Sequence, residues 1–594
     1  MKELEYPFDS SFILSNKKVL KKQLLNSDTK FLEKRIAILG GSTTDNIKNI
    51  LELFLLNYGI KPIFYESEFN KYYEDSLFGN EELDNFNPDI IYIHTTNRNI
   101  NFYPEVSDSV DEVNIKLENE YNRFVNMWNT LSNKFNAIII QNNFELLFYR
   151  LLGNMDIVDY RGKNNFINKL NNKFYEYASN NPNFFINDIN YVSSCYGLDK
   201  WSNQFYWYMY KYALDLNAIP DLAFNIAKII KAIYGKNKKS LVFDLDNTLW
   251  GGIVGDDGVS ELKIGLDLSS GQVFYEFQKY AKDNKDLGVI LNVISKNEYE
   301  NAIAGLNHPE GVLKPDDFII IKANWEPKSL NITSLASELE LGADSFVFVD
   351  DNPAERKIVG DYVKNIAVPD IGNPEDYIRV LDKNGYFECI KISNEDMNKS
   401  KMYKDNIKRN ELISSFSNYE DYLLSLNMKA DIKSFKDIYL ERIAQLTNKS
   451  NQFNLTTKRY SDADIKYVYE SDDYIKLYGK LEDIFGDNGV ISVVIGNIKE
   501  DVLDIDLWIM SCRVLKRNME YAMMDELVSR CVNKGIKRIN GYYYPTAKNK
   551  MVLDFYEGLG FTLDNIDSDG NKFYHLDVDN YKKLNNIIEV YNED

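Results

Sequence analysis

The stretch LVFDLDNTLWGGIVGDDG (241–258) places two carboxylates directly after a short apolar run. Asp244 ends the run and Asp246 follows two positions later. In open parallel sheets the ligand crevice lies at the carboxyl ends of the strands, so both side chains are expected there. Two carboxylates so close together repel each other unless a cation or a proton compensates. Mg²⁺, a hard ion that prefers oxygen ligands, is the expected cation.

Further polar residues follow strand ends in the same region. Asp350 and Asp351 come directly after the apolar run FVFV. Ser295 lies in VISKN and Lys328 in WEPKS, each close to the end of a predicted strand. Because the strands of one parallel sheet end at a common edge, these groups are expected to converge with Asp244. Carboxylates, a hydroxyl and an ammonium are the groups that phosphoryl transfer requires.

The rhythm of strands and helices in this region predicts a doubly wound, Rossmann-like α/β sheet. The predicted strands are 241–245, 288–294, 318–322 and 346–350. The predicted helices are 270–284, 297–306, 327–340 and 353–360.

The ordered set DLDNT, Ser295, Lys328 and the Asp350–Asp351 pair resembles the haloacid dehalogenase-like superfamily of phosphotransferases. The resemblance implies that Asp244 is the nucleophile, and that Asp246 is the general acid/base with its backbone carbonyl facing the metal. The implied Mg²⁺ ligands are Asp244, Asp246 and Asp351, while Asp350 orients Lys328. The residues implied to bind the substrate are Thr248, Ser295, Lys296, Asn297 and Asp350, beside the catalytic Lys328.

The flanking motifs LWGGIVGDDG, ISKN, NWEPKSLNI and FVDDNPAER resemble the FkbH-like branch of that superfamily. In that branch the activity uses the three-carbon acid 1,3-bisphosphoglycerate. The resemblance implies removal of phosphate and transfer of a glyceryl group to the phosphopantetheine thiol of an acyl carrier protein. Such an enzyme feeds a three-carbon unit into a polyketide-like assembly pathway.

The C-terminal motifs QLTNKSNQFNLTTKRYS, SCRVLKRNMEYA and FYEGLGF resemble the GNAT-type acyltransferase domain of FkbH-like proteins. A helix that starts at Asn518 is expected to present its N-terminus to a pantetheine phosphate. Lys516 and Asn518 stand where GNAT loops carry small residues, which disfavours free CoA. Arg513, Lys516 and Arg517 are the predicted phosphate contacts. Cys512 is a candidate glyceryl acceptor, with a small buried hydrophobe as the equal alternative.

The N-terminal third resembles the SGNH-hydrolase-like domain that precedes FkbH-like modules. LGGSTTDN places Ser42 at the nucleophile position, and Asn143 is the candidate oxyanion residue. The closing Asp-x-x-His is missing, because the sequence around Asp199 has no histidine. A serine without its base is a poor nucleophile, so we expect a degenerate binding or docking module with a structural His94.

These resemblances predict a multidomain α/β chain with an SGNH-like flavodoxin-type sheet, a Rossmann-like phosphatase domain and a mixed α+β GNAT-like domain. The length of 594 residues agrees with several domains. The predicted boundaries are 1–235 for the SGNH-like domain, 236–385 for the phosphatase domain, 386–436 for a helical linker and 437–594 for the GNAT-like domain.

Charge and composition limit the classes of partner and the cellular location that we expect for this protein. The 90 acidic and 69 basic residues give a formal net charge of −21, which disfavours nucleic acid and anionic membranes. The N-terminus lacks a signal-peptide pattern, and no apolar run approaches the roughly 20 residues of a membrane span. Four scattered cysteines indicate neither a disulfide framework nor a zinc site. A cytoplasmic protein is therefore expected.

Two alternatives to the glyceryl-transferring phosphatase remain open. One is a stand-alone phosphatase for a small sugar or acid phosphate, in which the GNAT-like region binds or acylates something unrelated. The other is a non-catalytic scaffold, against which the intact set of Asp244, Lys328 and the Asp350–Asp351 pair argues.

Overall fold

The computed structural model describes residues 1–593 apart from 28, 30, 393–396, 414, 450–452, 512–513 and 547–548. The chain divides into two compact units, one of Met1–Ile233 with Ser461–Asp464 and the other of Tyr234–Tyr460 with Ile465–Asp594. Parallel sheets with flanking helices confirm the predicted mixed α/β, multidomain fold class. The domain boundaries stay predictions, because the second unit holds both the second and the third sheet.

The first unit is built on a parallel sheet of order β2-β1-β3-β4-β5. Its strands are β1 (Leu32–Gly40), β2 (Ile60–Glu66), β3 (Ile90–His94), β4 (Ile138–Asn142) and β5 (Phe184–Asn187). Its helices are α1 (Ser10–Leu25), α2 (Asp45–Asn57), α3 (Tyr72–Phe78), α4 (Glu81–Phe86), α5 (Val110–Lys134), α6 (Lys163–Asn180), α7 (Ile189–Tyr196), α8 (Leu198–Trp201), α9 (Gln204–Tyr210) and α10 (Ile219–Ile233).

This sheet buries both of its faces, as continuous apolar strands require. On one face Trp128 of α5 lies between Phe174 of α6 and Phe184 of β5, with ring centroids 4.7 Å away in both cases. Edge-on aromatic packing of this kind adds about 0.5–1.5 kcal/mol per pair beyond area burial. This packing joins α5 and α6 to the edge strand β5.

The second sheet is parallel and has the order β8-β7-β6-β9. Its strands are β6 (Ser240–Phe243), β7 (Ile290–Ser295), β8 (Ile321–Ala323) and β9 (Phe346–Val349). Its helices are α11 (Val254–Asp257), α12 (Ser269–Asp286), α13 (Tyr299–Leu306), α14 (Lys328–Glu338), α15 (Pro353–Tyr362) and α16 (Tyr377–Lys383). The strands and helices predicted from sequence are present, with their ends shifted by a few residues.

The strand β6 ends at Phe243, earlier than predicted, because the chain turns at once. Thr248 and Leu249 both donate their backbone N–H to the carbonyl of Leu245, and Asn247 has a positive φ of 56°. Asn is among the few residues that tolerate this left-handed conformation. The turn keeps Asp244 and Asp246 beyond the strand, at the edge of the sheet.

The segment between the second and third sheets carries α17 (Lys399–Ile413) and α18 (Tyr419–Ser425). A strand, β10 (Lys429–Ser434), also lies inside the stretch that was predicted to be a helical linker. Burial alternates along this segment, as in a strand and unlike a helix. Ala430 and Ile432 are fully buried, while their neighbours are more exposed. The third sheet therefore begins before residue 437.

The third sheet is mixed, with the order β15-β16-β14-β13-β12-β11-β10-β17. Its further strands are β11 (Tyr474–Asp483), β12 (Gly486–Lys499), β13 (Val502–Met510), β14 (Arg538–Tyr543), β15 (Thr562–Ile566), β16 (Lys572–Asp577) and β17 (Glu589–Tyr591). The helices in this part of the chain are α19 (Leu440–Lys449), α20 (Asp462–Glu470), α21 (Met519–Asn533) and α22 (Phe555–Gly558). A tight turn after Asp483 joins β11 to β12 as an antiparallel hairpin.

The parallel strands β13 and β14 pair over three residues only, from Val502 to Asp504, and then separate. The stretch 453–455 crosses the resulting gap. Leu455 donates its N–H to Trp508 of β13 (3.4 Å) and its carbonyl accepts from Tyr544 just after β14 (2.9 Å). A splayed pair of strands is thus present, and the chain itself bridges it.

No helix among the described residues combines the length and the apolar composition that a membrane crossing needs.

A buried ion cluster ties α17 to the third sheet. Arg409 donates two hydrogen bonds to the carboxylate of Asp483 (2.8 and 2.7 Å), and Arg517 donates a third (3.1 Å). The Asp483 side chain is fully buried. One carboxylate therefore compensates two guanidinium groups away from water.

We expect Asp483→Asn to lower the free energy of unfolding by about 3 kcal/mol or more, because it leaves buried guanidinium charge uncompensated. Urea unfolding of the full chain measures the change. Asp501→Asn is the matched control, since Asp501 lies in an exposed pair with Lys537 (3.7 Å) and is expected to shift stability by under about 1 kcal/mol. Equal effects of the two changes would contradict the assignment.

Candidate active site

Two acidic strand ends lie side by side in the second sheet. Asp244 follows β6, and Asp350 and Asp351 follow its parallel neighbour β9. The backbone N–H of Asp244 donates to the carbonyl of Val349 (2.9 Å), which extends the pairing past the strand end. Asp244 is 7% exposed and Asp350 is fully buried. The sheet therefore brings together the carboxylates that the sequence predicted at one edge.

Lys328 lies between these two carboxylates. Its Nζ is 2.6 Å from Asp350 Oδ2 and 3.1 Å from Asp244 Oδ1. Lys328 is the first residue of α14 and is only 3% exposed. Burial alone would lower the pKa of Lys328, but the charges of Asp244 and Asp350 outweigh it and raise the pKa. The ammonium therefore stays charged, as the predicted catalytic role requires.

The carboxyl groups at this edge are crowded. Burial, followed by the charge of Asp244, raises the pKa of Asp350 to about 6. The same two causes raise the pKa of Asp351. One ammonium does not compensate all of these carboxylates, so the site favours a further cation.

The acidic group can hold that cation. Carboxylate oxygens of Asp244, Asp350 and Asp351 all lie within 4.8 Å of one another. An all-oxygen set with few protein ligands suits Mg²⁺, which retains water or phosphate oxygens in its shell. Of the predicted ligands, Asp244 and Asp351 are in this group. The side chain of Asp246 is not, in keeping with the expectation that Asp246 offers its backbone carbonyl.

The side chain of Asp246 is held by three donors. Its Oδ1 accepts from Trp250 Nε1 (2.9 Å) and the Val254 N–H (3.0 Å), and its Oδ2 accepts from Asn297 Nδ2 (3.0 Å). Burial is the largest influence and raises the pKa of Asp246. A carboxyl group with a raised pKa and a fixed orientation suits a general acid/base.

Asn297, predicted to bind substrate, thus contacts Asp246 directly. The predicted substrate residue Lys296 pairs with Glu355 (2.7 Å) and is 40% exposed. Its ammonium is therefore engaged in an ion pair at the surface.

Thr248 is fully buried, and its Oγ1 accepts the N–H of Asp351 (3.1 Å). Ser295 is the last residue of β7 and is 2% exposed. Thr248 and Ser295 border the acidic group at neighbouring strand ends.

Sequence reasoning missed two residues that shape this site. Arg356 donates through one nitrogen to the carbonyls of Asp350 and Asp351 (2.8 Å each) and through another to Asp370 (2.7 Å). Trp250 orients Asp246 as described above. Trp250 lies four residues after Asp246 within LWGG, a proximity that could have drawn attention to it. No local signal distinguishes Arg356 from an ordinary helix-surface arginine.

In the third sheet, Cys512 and Arg513 lie outside the described residues. The start of the helix after β13 agrees with the prediction, with Asn518 as the residue before α21. Lys516 and Asn518 have positive φ values of 64° and 62°, so the loop has a glycine-type backbone without glycine. Lys516 is exposed.

The structure does not support Arg517 as a phosphate contact. Its guanidinium is buried and donates to Asp483 (3.1 Å) and to Asn406 (2.9 Å). Burial also lowers the pKa of Arg517 to about 10. The guanidinium predicted to contact a phosphate is part of the buried ion cluster instead.

The first unit lacks a working triad among its described residues. Ser42 is 2% exposed and its Oγ has no hydrogen-bond partner in the described chain. Asn143 donates its side-chain amide to the hydroxyl of Tyr175 (2.8 Å) and to Asp188 (2.6 Å). Burial lowers the pKa of His94 to about 3, so this core histidine is neutral. Its complete burial favours the structural role expected for His94.

Comparison with known proteins agrees with this architecture. A family model described as FkbH, N-terminal domain, matches residues 35–231. A crystal structure is described as the N-terminal part of the protein BF1531 from Bacteroides fragilis, containing a phosphatase domain complexed with Mg. It matches with a TM-score of 0.58 and 29% identity over 63% of this chain and 99% of that chain. The resemblance to FkbH-like proteins is confirmed.

Acetyltransferase structures align with a smaller part of the chain. The ribosomal-protein-S18-alanine N-acetyltransferase from Escherichia coli covers 25% of this chain and 94% of its own, with 14% identity and a TM-score of 0.20. A GNAT superfamily phosphinothricin acetyltransferase from Sinorhizobium meliloti, in complex with AcCoA, covers 25% and 88%, with 15% identity and a TM-score of 0.21. No curated protein matches the chain.

We expect Mg²⁺ at about a hundred times its Kd to raise the free energy of unfolding by about 2.7 kcal/mol, because it binds only the folded site. Thermal unfolding of the full chain, with Mg²⁺ and with EDTA, measures this gain. Asp351→Asn should lose most of it. Asp283→Asn, on the exposed surface of α12, should keep it. A gain that is equal in the two variants would exclude the acidic group as the binding site.

Proposed function

We propose that the chain is a Mg²⁺-dependent phosphatase whose nucleophile is Asp244. The observation that carries this proposal is the placement of the Lys328 ammonium between Asp244 and Asp350 at adjoining strand ends. A phosphoryl group at this position meets a carboxylate nucleophile and a fixed positive charge together. The described phosphatase domain of BF1531 supports the same class of reaction here.

The reaction proceeds in two displacements. A carboxylate oxygen of Asp244 bonds to phosphorus while the bond from phosphorus to the leaving oxygen breaks. Asp246 gives its proton to that leaving oxygen. Water then attacks the phosphorus, Asp246 takes a proton from it, and phosphate leaves as the Asp244 carboxylate is restored. The three donors on Asp246 keep it in position for both proton transfers.

The surrounding side chains position the phosphoryl group. Lys328 offsets its negative charge, and the buried Thr248 and Ser295 border it from neighbouring strands. Asp350 accepts from Lys328 and fixes the direction of its ammonium. The carboxylates of Asp244, Asp350 and Asp351 would hold Mg²⁺, the ion described in the BF1531 structure. When bound, that ion supplies further positive charge against the transferring group.

We infer a finer function from the FkbH-type sequence: transfer of a glyceryl group from 1,3-bisphosphoglycerate to an acyl carrier protein. The Cys512 sulfur attacks the C1 carbonyl and loses its proton as the bond from C1 to the phosphate oxygen breaks. The pantetheine sulfur then attacks the resulting thioester and loses its proton, and Cys512 is released as its thiol. The phosphatase site removes the C3 phosphate, so two phosphates leave for each glyceryl thioester. The FkbH domain at residues 35–231 and the splayed strands β13 and β14 support this proposal. Cys512, which lies outside the described residues, is the proposed relay thiol.

A stand-alone phosphatase is the second candidate, and one observation favours it. The gap between β13 and β14 is crossed by the stretch 453–455, which hydrogen-bonds to both sides. A pantetheine arm that needed the full gap would have to displace this stretch. A phosphatase without a carrier partner needs no such movement.

Intact-mass measurement of a holo acyl carrier protein separates the two candidates. With 1,3-bisphosphoglycerate and Mg²⁺, we expect the full chain to add the mass of one glyceryl group to the carrier. Phosphate release with an unchanged carrier mass would favour the stand-alone phosphatase.

Asp244→Asn tests the same reaction from the phosphatase side. Without its nucleophile, the protein should leave the carrier either unmodified or carrying phosphoglyceryl, and phosphate release from the C3 ester should fall by about a thousandfold or more. Asp283→Asn serves as the matched control. A glyceryl-loaded carrier formed by Asp244→Asn at the wild-type rate would refute the role of the second sheet.

A further inference from the structure

The first unit contains a cavity of about 330 Å³ that the proposed phosphatase does not use. It lies where the chain leaves two neighbouring strands of the first sheet. Asn97 and Arg98 follow β3, and Glu145 follows β4. Trp201, at the end of α8, forms part of its wall. The carboxyl edge of a parallel sheet is where ligands bind in open α/β folds.

The cavity carries positive charge without a matching anion. Arg98 is half-buried, lies over the ring of Trp207 (4.3 Å to the centroid) and donates to Gln204 (3.1 Å). Lys163 contributes an ammonium 5.2 Å from the ring of Tyr103. Neither cation forms an ion pair with a carboxylate in the part of the chain that the structure describes. An anion in the cavity would meet both.

Glu145 does not neutralise that charge. It is 3% exposed and accepts a hydrogen bond from the Asn97 N–H (3.2 Å). Burial is the largest influence and raises the pKa of Glu145 to about 8, so the carboxyl is mostly protonated at neutral pH. It then offers a hydroxyl donor in place of a negative charge.

Trp201 supplies a further hydrogen-bond donor in the wall of the cavity. Trp201 is 1% exposed, and its Nε1 has no hydrogen-bond partner among the described residues. A buried donor left unsatisfied costs about 1–3 kcal/mol, unless a ligand or water accepts from it. The remaining wall is apolar and aromatic, with Tyr103, Leu146 and Phe148.

We propose that this cavity binds a small organic acid, with its carboxylate on Arg98 and its apolar body against Tyr103 and Phe148. The planar guanidinium matches a carboxylate through two parallel hydrogen bonds. A largely apolar wall with a few convergent polar groups is the usual form of a small-molecule site. Inorganic phosphate has no apolar body for this wall, so it fits less well. The proposal concerns the first unit and does not depend on the phosphatase chemistry of the second.

Calorimetric titration of the full chain with three matched probes tests it. The probes are 3-phenylpropionate, 3-phenylpropanamide and 3-phenylpropylamine, which share one body and differ in the head group. We expect saturable binding of the acid with a Kd of about 1 mM or tighter, and at least tenfold weaker binding of the amide and the amine. Inorganic phosphate is the fourth probe and should bind more weakly than the acid.

Arg98→Gln should weaken binding of 3-phenylpropionate by at least tenfold, whereas Arg98→Lys should retain part of the affinity. Arg150→Gln, an exposed change in the same unit, should bind like the wild type. The indole N–H signal of Trp201, assigned with Trp201→Phe, should shift in the nitrogen-15 spectrum on addition of the acid. Thermal unfolding of each variant shows whether it is folded.

Any of four results would overturn the proposal. One is the absence of saturable binding by the acid, and another is equal binding of the acid and the amine. The third is undiminished acid binding by a folded Arg98→Gln protein. Stronger binding of inorganic phosphate than of the acid would instead assign the cavity to phosphate and would also reject an organic acid.

Discussion

The ion contact of Lys328 with Asp244 and Asp350 is the interaction on which the second sheet's chemistry depends. The Lys328 ammonium at a helix start lies 3.1 Å from Asp244 and 2.6 Å from Asp350, which follow two adjoining strands. Burying carboxylates without a counter-charge is strongly unfavourable, and the Lys328 ammonium supplies that counter-charge at this edge. The site still carries more carboxylate charge than the one ammonium compensates. This excess negative charge destabilises the site and favours the binding of a cation together with a phosphoryl group.

This contact is held from several directions. The parallel pairing of β6 with β9 places Asp244 beside Asp350. Pro327 precedes α14 and starts the helix at Lys328, so the ammonium comes from a rigid element. Arg356 binds two carbonyls of the acidic loop and limits its movement. Positions fixed before substrate arrives need no reorganisation during the reaction, which is how electrostatic stabilisation becomes effective.

Much of this site could be predicted from the sequence, because an apolar run that ends in aspartate is a local pattern. The strand ends and Lys328 were found in this way. Contacts between distant segments could not be predicted. Arg517 was predicted to contact a phosphate from its place in the loop before α21, yet its guanidinium donates to Asp483 of β11. The strand β10 was missed because only two of its residues carry the alternation.

The most direct test of the account is to find the phosphoryl group on the protein. Asp246→Asn should accumulate it with p-nitrophenyl phosphate, since this leaving group needs no acid whereas hydrolysis still needs a base. Mass spectrometry of the quenched protein should then place a hydroxylamine-sensitive phosphoryl group on Asp244. Turnover of the substrate by wild-type protein, with no phosphoryl group on Asp244 in either protein, would contradict the account.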